Sequence, residues 1–98
     1  MDIVIEEIKQ KVTPILVEYN VEYAGIFGSV ARGEATSQSD VDILVRLHQG
    51  TGMFEYMRLI NNLESALQKK VDLVTESGLN KFVRPYALRD LKTIYGKR

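Results

Sequence analysis

The sequence lacks cysteine altogether and has a single histidine, His48, among its 98 residues. Disulfide bonds and thiolate metal sites are therefore excluded, and one imidazole cannot form a histidine cluster. Any metal ion must be held by carboxylates, which favours Mg²⁺, with Mn²⁺ as the alternative. No apolar run approaches the roughly 20 residues of a membrane span, and the opening MDIVIEEIKQ is acidic where a signal peptide is basic. We expect a cytoplasmic protein that does not bind membranes.

Neither sign of charge is in excess, because 13 Lys and Arg residues balance 13 Asp and Glu residues. The hydrophobic share of 45% is enough for one buried core, and this length predicts a single domain over residues 1–98. The charges are unevenly spread, since residues 81–98 carry six cationic side chains against Asp90 alone. This basic tail is either a solvated helix face or a surface for an acidic protein or RNA.

Short β-branched runs flanked by polar residues predict strands at residues 21–27, 41–47 and 71–75. Helical spacing of apolar residues predicts an N-terminal helix and a helix over 53–70. A further amphipathic segment, 80–91, should be interrupted at Pro85, and KTIY should add a short edge strand. The expected fold class is α/β (α+β), a small mixed β-sheet with helices packed against it.

Two apolar stripes are predicted to face the core from the helices. The N-terminal stripe contains Ile5, Ile8, Val12, Leu16 and Tyr19, and the second contains Met53, Met57, Ile60, Leu63 and Leu67. Pro14 would either kink the first helix or, together with Thr13, open a second short helix.

Two aspartates stand at the start of the second strand, within the stretch GIFGSVARGEATSQSDVDILV. Because side chains alternate along a strand, Asp40 and Asp42 should project to one side while Val41 and its alternate neighbours enter the core. Two carboxylates on one face repel each other unless a divalent ion or a phosphate complex neutralises them. The pair therefore indicates a cation site.

Gly28 and Ser29 end the preceding strand and should open a short helix through SVAR. Such a start aims backbone N–H groups and a hydroxyl at an anion, and glycine lets a phosphate approach the backbone. A Gly-Ser pair alone is usually an ordinary turn, and an Asp-x-Asp pair alone is usually a solvated loop motif or a helix cap. Together they indicate a site for a metal-bound phosphate compound.

The combination resembles the minimal nucleotidyltransferases of the DNA polymerase β superfamily, whose signature is Gly-Ser, ten residues, then Asp-x-Asp. Gly28, Ser29, Asp40 and Asp42 match that signature, and Arg32 with Gly33 matches a wider family pattern. The resemblance continues to KKVDLV, where the family carries a third carboxylate. It covers most of the chain, whereas residues 1–20 and those after 77 match only in length and pattern.

The resemblance implies a palm-like nucleotidyltransferase fold and transfer of a nucleotide by a Mg²⁺-dependent enzyme, with two ions bridging the triphosphate of ATP. Asp40 and Asp42 would hold the ions, joined by Asp72, which would orient or deprotonate the attacking hydroxyl. The outer phosphates would lie against Gly28 and Ser29. Two of these roles have alternatives that stay open. Asp72 could be a strand-end aspartate that only solvent or a neighbouring amide satisfies, and Arg32 could either bind phosphate or merely pair with Glu34.

Stand-alone proteins similar to this one are typically antitoxins of HEPN-type toxins, and they transfer AMP from ATP to a tyrosine of the toxin. The resemblance thus implies a hetero-oligomeric partner, with direct nucleic-acid binding not expected. In a rival interpretation the protein has the same fold but no catalytic activity, and it is a binding module that neutralises its partner by steric masking. A third is a nucleotidyltransferase that acts on a small molecule or RNA.

Overall fold

The computed structural model describes residues 5–36 and 38–97, so that Arg98 of the basic tail lies outside the described residues. Helices and strands alternate in the order α1 (Ile5–Glu18), β1 (Tyr23–Phe27), α2 (Gly28–Ala31), β2 (Val41–Arg46), α3 (Met53–Leu67), β3 (Val71–Thr75), α4 (Arg84–Asp90) and β4 (Lys92–Gly96). A single 3₁₀ turn, Glu76–Gly78, follows β3. The three predicted strands and the KTIY strand are confirmed, with boundaries that differ by at most two residues.

The four strands form one mixed sheet in the order β3-β2-β1-β4, as the predicted fold class requires. β1 lies antiparallel to both β2 and β4, whereas β2 and β3 are parallel and joined through α3. The last strand, β4, is an edge strand, and its register shifts opposite Ala24 and Gly25. The two central strands therefore carry most of the sheet's hydrogen bonding.

One face of the sheet packs against α1 and α3 to form the main core. Val41, Ile43 and Val45 are fully buried there, as the alternation of β2 predicts. The opposite face carries the acidic side chains of β2 and β3 and contacts α4 through β1. The main apolar layer thus lies on one side of the sheet, while the other side carries the acidic side chains and a smaller buried group that includes Leu44 and Tyr23.

Pro14 does not divide the N-terminal helix, which is continuous from Ile5 to Glu18. The buried residues Ile8, Val12 and Leu16 lie on both sides of the proline in one row, so packing holds the two halves together. Pro14 itself is exposed. The carbonyl one helical turn before it, which receives no N–H from the proline, can be hydrated instead. The predicted second short helix is therefore wrong.

The methionines of α3 are not part of the core, which corrects the predicted stripe. Met53 is 71% exposed and Met57 51% exposed, whereas Leu59 and Leu63 are buried. At about 100° per residue, Met57 lies roughly 140° from the midpoint between Leu59 and Leu63 and so faces away from the core. The helix ends at Leu67, earlier than expected, because Gln68 adopts a left-handed φ of 54° and its N–H bonds the Glu64 carbonyl at 2.8 Å.

Pro85 opens α4 instead of interrupting it, since it occupies the first turn, where no intrahelical N–H is needed. The preceding turn is held by Asn80, whose carbonyl accepts the N–H groups of Val83 and Arg84. Its side-chain oxygen accepts the N–H of Phe82 at 2.8 Å. Within the described ranges, no helix combines the length and apolar character that crossing a bilayer requires.

We expect Leu63→Ala to lower the free energy of unfolding by about 2–5 kcal/mol, because it empties a fully buried site on α3. Met57→Ala, a similar truncation on the same helix, should cost about 0.5 kcal/mol or less since the side chain is half exposed. Urea denaturation of both variants measures the difference. Equal losses would mean that Met57 is buried after all.

Candidate active site

The Gly28-Ser29 turn lies directly beside the acidic side chains, because Phe27 pairs with Asp42 across β1 and β2. The next residue, Gly28, has φ of 75°, and a Cβ built there would overlap the Asp42 carboxylate. Only glycine fits this combination of left-handed backbone and close approach. The predicted turn and the short helix α2 that follows it are both confirmed.

Ser29 begins the polar lining of the turn. Its hydroxyl has no hydrogen-bond partner among the residues that the structure describes, and the side chain is partly exposed. The Arg32 N–H bonds the Gly28 carbonyl at 3.1 Å and the Glu34 N–H bonds the Ser29 carbonyl at 2.9 Å, which fixes the turn. The hydroxyl thus sits on a well-defined backbone.

The sheet brings two of the three predicted carboxylates, Asp42 and Asp72, to one face. Asp42 and Asp72 are direct neighbours in the parallel register of β2 and β3, and both follow buried residues of the core face. Asp40 directly precedes β2, as the predicted limits 41–47 imply, and is exposed. Asp72 is the second residue of β3 and is exposed beside Asp42.

The electrostatics of Asp42 show that both other acids act on this carboxylate. Burial, and then the charges of Asp72 and Asp40, raise the pKa of Asp42 above its usual range, while Arg32 lowers it. Like charges held on one face account for the second and third effects. A cation or a positively charged partner at this position would relieve the repulsion.

The donor set of this face fits a hard divalent cation in type. Its ligating atoms are carboxylate oxygens, which are the ligands of Mg²⁺ and Mn²⁺, and these ions usually complete their shell with water and substrate phosphates. Within residues 5–36 and 38–97, however, no group of three or more His, Cys, Asp or Glu side chains is arranged to hold a metal ion by itself. The residues therefore fit an ion that arrives with additional oxygen ligands.

Arg32 pairs with two acids, one of which the sequence did not indicate. Its Nε bonds Glu34 at 3.1 Å, as one of the sequence alternatives held, and its Nη1 bonds Asp90 at 2.8 Å. Both bonds, the one from Asp90 foremost, raise the pKa of Arg32. Asp90 lies 58 residues away along the chain, at the end of α4, so no local pattern could have revealed it.

Tyr56 is a second residue of the site region that sequence reasoning missed. Its hydroxyl donates to the Leu73 carbonyl at 2.6 Å, which ties α3 to the strand that carries Asp72. Burial and the charge of Asp72 raise the pKa of Tyr56. The spacing of Tyr56 ahead of Leu59 and Leu63 on one helix face was the signal available for its inward orientation.

Comparison with known proteins agrees with this geometry. The model of the family described as "Nucleotidyltransferase domain" matches residues 1–94. A candidate protein adenylyltransferase of Methanocaldococcus jannaschii, MJ0435, is 40% identical over 86 residues, covering 88% of this chain and 92% of its own. The chain therefore belongs to the nucleotidyltransferase domain family, and the resemblance to minimal nucleotidyltransferases is confirmed.

Solved structures show the same fold. A toxin–antitoxin complex with AMP-PNP has a TM-score of 0.77 at 24% identity, covering 92% of this chain and 74% of the matched one. A complex of a tri-AMPylated HEPN toxin with its MNT antitoxin, from Shewanella oneidensis, has a TM-score of 0.71 at 21% identity, covering 94% and 72%. At these identities the likeness concerns the fold alone.

We expect Gly28→Ala to destabilise the protein more than Gly33→Ala. Both glycines have φ of 75°, so both substitutions carry the left-handed strain of about 1–2 kcal/mol. Only at position 28 does the new methyl meet another group, the Asp42 carboxylate, whereas Gly33 has nothing within 4 Å. Chemical denaturation of the pair isolates that contact. Equal losses would show that Gly28 and Asp42 are not apposed.

We expect Asp42→Asn to raise the free energy of unfolding at pH 7 in the absence of divalent ions. The pKa of Asp42 is higher in the folded state than in the unfolded state, so protonation of this carboxyl stabilises the fold. That stabilisation is fully present below the unfolded-state pKa and is lost as the pH rises through the folded-state pKa. At neutral pH the carboxylate thus opposes folding, and asparagine removes that charge.

The gain should be smaller at about pH 4, because the raised pKa of Asp42 lets the unaltered side chain take up its proton as the pH falls. Thermal denaturation at the two pH values, in EDTA, measures it, with Glu18→Gln, an exposed charge removal on α1, as the control. A stability loss at pH 7 would contradict the repulsion described above.

Proposed function

We propose that this protein transfers AMP from ATP to a hydroxyl group, that of a tyrosine on a HEPN-type toxin, and thereby acts as its antitoxin. The observation that carries the proposal is the register of Phe27, Asp42 and Asp72, which sets the Gly28 turn beside the carboxylates. The name of the M. jannaschii relative supports adenylyl transfer to protein. The two toxin–antitoxin complexes support ATP as the nucleotide and a HEPN toxin as the partner.

Each residue of the site has a role in this reaction. The backbone at Gly28 and the hydroxyl of Ser29 bind the outer phosphates, because the turn has no Cβ in their way and the hydroxyl has no partner among the described residues. Asp40, Asp42 and Asp72 would hold Mg²⁺ together with oxygen atoms of the nucleotide, and the ion would supply charge neutralisation at the phosphates. Arg32 adds a further positive charge beside Asp42.

Asp72 orients the acceptor hydroxyl and takes its proton. The acceptor oxygen then forms a bond to the α-phosphorus of ATP, and the bond from that phosphorus to the bridging oxygen breaks, so that pyrophosphate leaves. Asp72 is exposed on the open side of the sheet, where a hydroxyl from outside can reach it. A general base in this position contributes about 10²–10⁴-fold to the rate.

A protein acceptor suits the surface that α4 presents. Phe82, Val83 and Tyr86 are between 50% and 71% exposed, and cations lie over two of the rings, Lys81 at 5.2 Å from Phe82 and Arg89 at 5.3 Å from Tyr86. Exposed aromatic and aliphatic groups bordered by arginine are typical of protein interfaces. The basic tail is thus better explained by an acidic protein partner than by a solvated face.

We expect Asp72→Asn to separate nucleotide binding from transfer. Asparagine keeps the size and polarity but cannot accept a proton, so the variant should bind ATP with Mg²⁺ and lose transfer to a HEPN-type toxin by at least about 10²-fold. Calorimetric ATP titration, with Mg²⁺ and with EDTA, and transfer of label from ATP measure the two properties. Glu18→Gln, an exposed charge removal on α1, is the control.

A growth assay with the toxin distinguishes the masking alternative. If Asp72→Asn neutralises the toxin as well as the unaltered protein does while transferring no label, the protein silences its partner by contact and not by chemistry. Equal ATP affinity in Mg²⁺ and in EDTA would contradict the carboxylate metal site. Label on RNA instead of protein would favour a different acceptor.

A further inference from the structure

The end of α4 is bonded to the segment that follows the Gly28 turn through one mostly buried carboxylate, that of Asp90. Asp90 is the last residue of α4, and its Oδ2 accepts a hydrogen bond from Nη1 of Arg32 at 2.8 Å. The Asp90 side chain is only 13% exposed, against 43% for Arg32 and 63% for Glu34. A carboxylate this far from water requires a charged partner, whereas the exposed Arg32–Glu34 pair alone would be weak.

Other charges near Asp90 do not replace this bond. Nε of Arg89 lies 3.9 Å from Oδ1 of Asp90, too far for a hydrogen bond, and the Arg89 side chain is 70% exposed. The contact that fixes the carboxylate is therefore the one to Arg32. It also joins α4 to the segment after α2, since the Arg32 N–H bonds the Gly28 carbonyl.

The two bonds leave part of the Arg32 guanidinium available. Nε is used by Glu34 and Nη1 by Asp90, while Nη2 has no hydrogen-bond partner among the described residues. The charge of Arg32 also lowers the pKa of Asp42, so the guanidinium lies close enough to act on the acidic face. A planar fork held at two nitrogens presents its remaining N–H donors in a fixed direction, which suits a phosphate.

We propose that Asp90 is a positioning residue for nucleotide binding, one that holds the Arg32 guanidinium ready for the outer phosphates of the triphosphate. The inference rests on the proposed function, because it takes ATP as the ligand of the Gly28 turn. It joins the two sequence alternatives for Arg32, since the same side chain pairs with acids and binds phosphate. Anchoring the arginine in advance lowers the ordering cost that binding would otherwise carry.

The test is calorimetric titration with two probes, Mg²⁺-ATP and AMP. Asp90→Asn should weaken Mg²⁺-ATP binding about tenfold, because a charge-assisted hydrogen bond to the phosphate-binding arginine is lost. AMP, which lacks the outer phosphates, should bind within about twofold of the unaltered protein. A merely structural role for Asp90 would weaken both nucleotides alike.

Three further variants make the assignment specific. Asp90→Glu should recover part of the lost affinity, and in an Arg32→Ala background Asp90→Asn should cause no additional loss for ATP. Glu22→Gln removes an acid that also pairs with an arginine, Arg46, on the far end of the sheet, and should leave both affinities unchanged. An equal ATP loss in the Arg32→Ala background would overturn the proposal.

A further variant covers the case in which Asp90→Asn folds poorly, and the binding results also show which of the two proposals fails. Arg32→Lys keeps the charge opposite Asp90 but cannot bridge both acids and a phosphate, and it should weaken ATP selectively. Unchanged or tighter ATP binding in both variants would overturn the positioning role while the proposed function stands. Absence of Mg²⁺-ATP binding by the unaltered protein would overturn both.

Discussion

The pairing of β2 with both of its neighbours is the constraint on which the site depends. Antiparallel pairing with β1 sets Phe27 opposite Asp42, and parallel pairing with β3 sets Asp42 opposite Asp72. A slip of one residue in either register would turn a carboxylate towards α1 and α3 and a valine towards solvent. The same hydrogen bonds that build the core therefore bring together groups that come from three separate parts of the chain.

This arrangement holds like charges close together at some cost in stability. Burial and neighbouring carboxylates raise the pKa of Asp42, so the fold tolerates a charged group where a neutral one would be more stable. The fully buried side chains of the core on the other face, among them Ile43 and Leu63, offset that cost. Stability and chemistry are thus divided between the two faces of a single sheet, a division common at functional sites.

Local patterns were sufficient to predict the strands and the motif residues, because alternation and turn chemistry act over a few residues. β3 was predicted with its observed limits, and the Gly28 turn was predicted from two residues and their flanking strand. Tertiary packing decided the features that were predicted wrongly. Pro14 lies within a helix because buried residues on both sides hold it, and Met57 is exposed because α3 turns a different row to the sheet.

The residues that sequence reasoning missed depend on contacts between distant elements. Asp90 and Arg32 meet only because α4 packs beside α2, and Tyr56 reaches the Leu73 carbonyl only because α3 lies against β3. The members of these two pairs are 58 and 17 residues apart along the chain, which is beyond the spacing that a helical or strand pattern relates. The carboxylates of the motif could be named in advance, but their anchors could not.

The position of β4 at the sheet edge beside β1 has a consequence for how the protein is made. β1 is translated well before one of its two partners, β4. Until then the β4-facing amides of β1 have no strand to pair with, and Arg32 has no Asp90. The arrangement of Arg32 seen in the folded protein therefore arises only after α4 has been translated, and the segment beside the Gly28 turn acquires its final form no earlier than that.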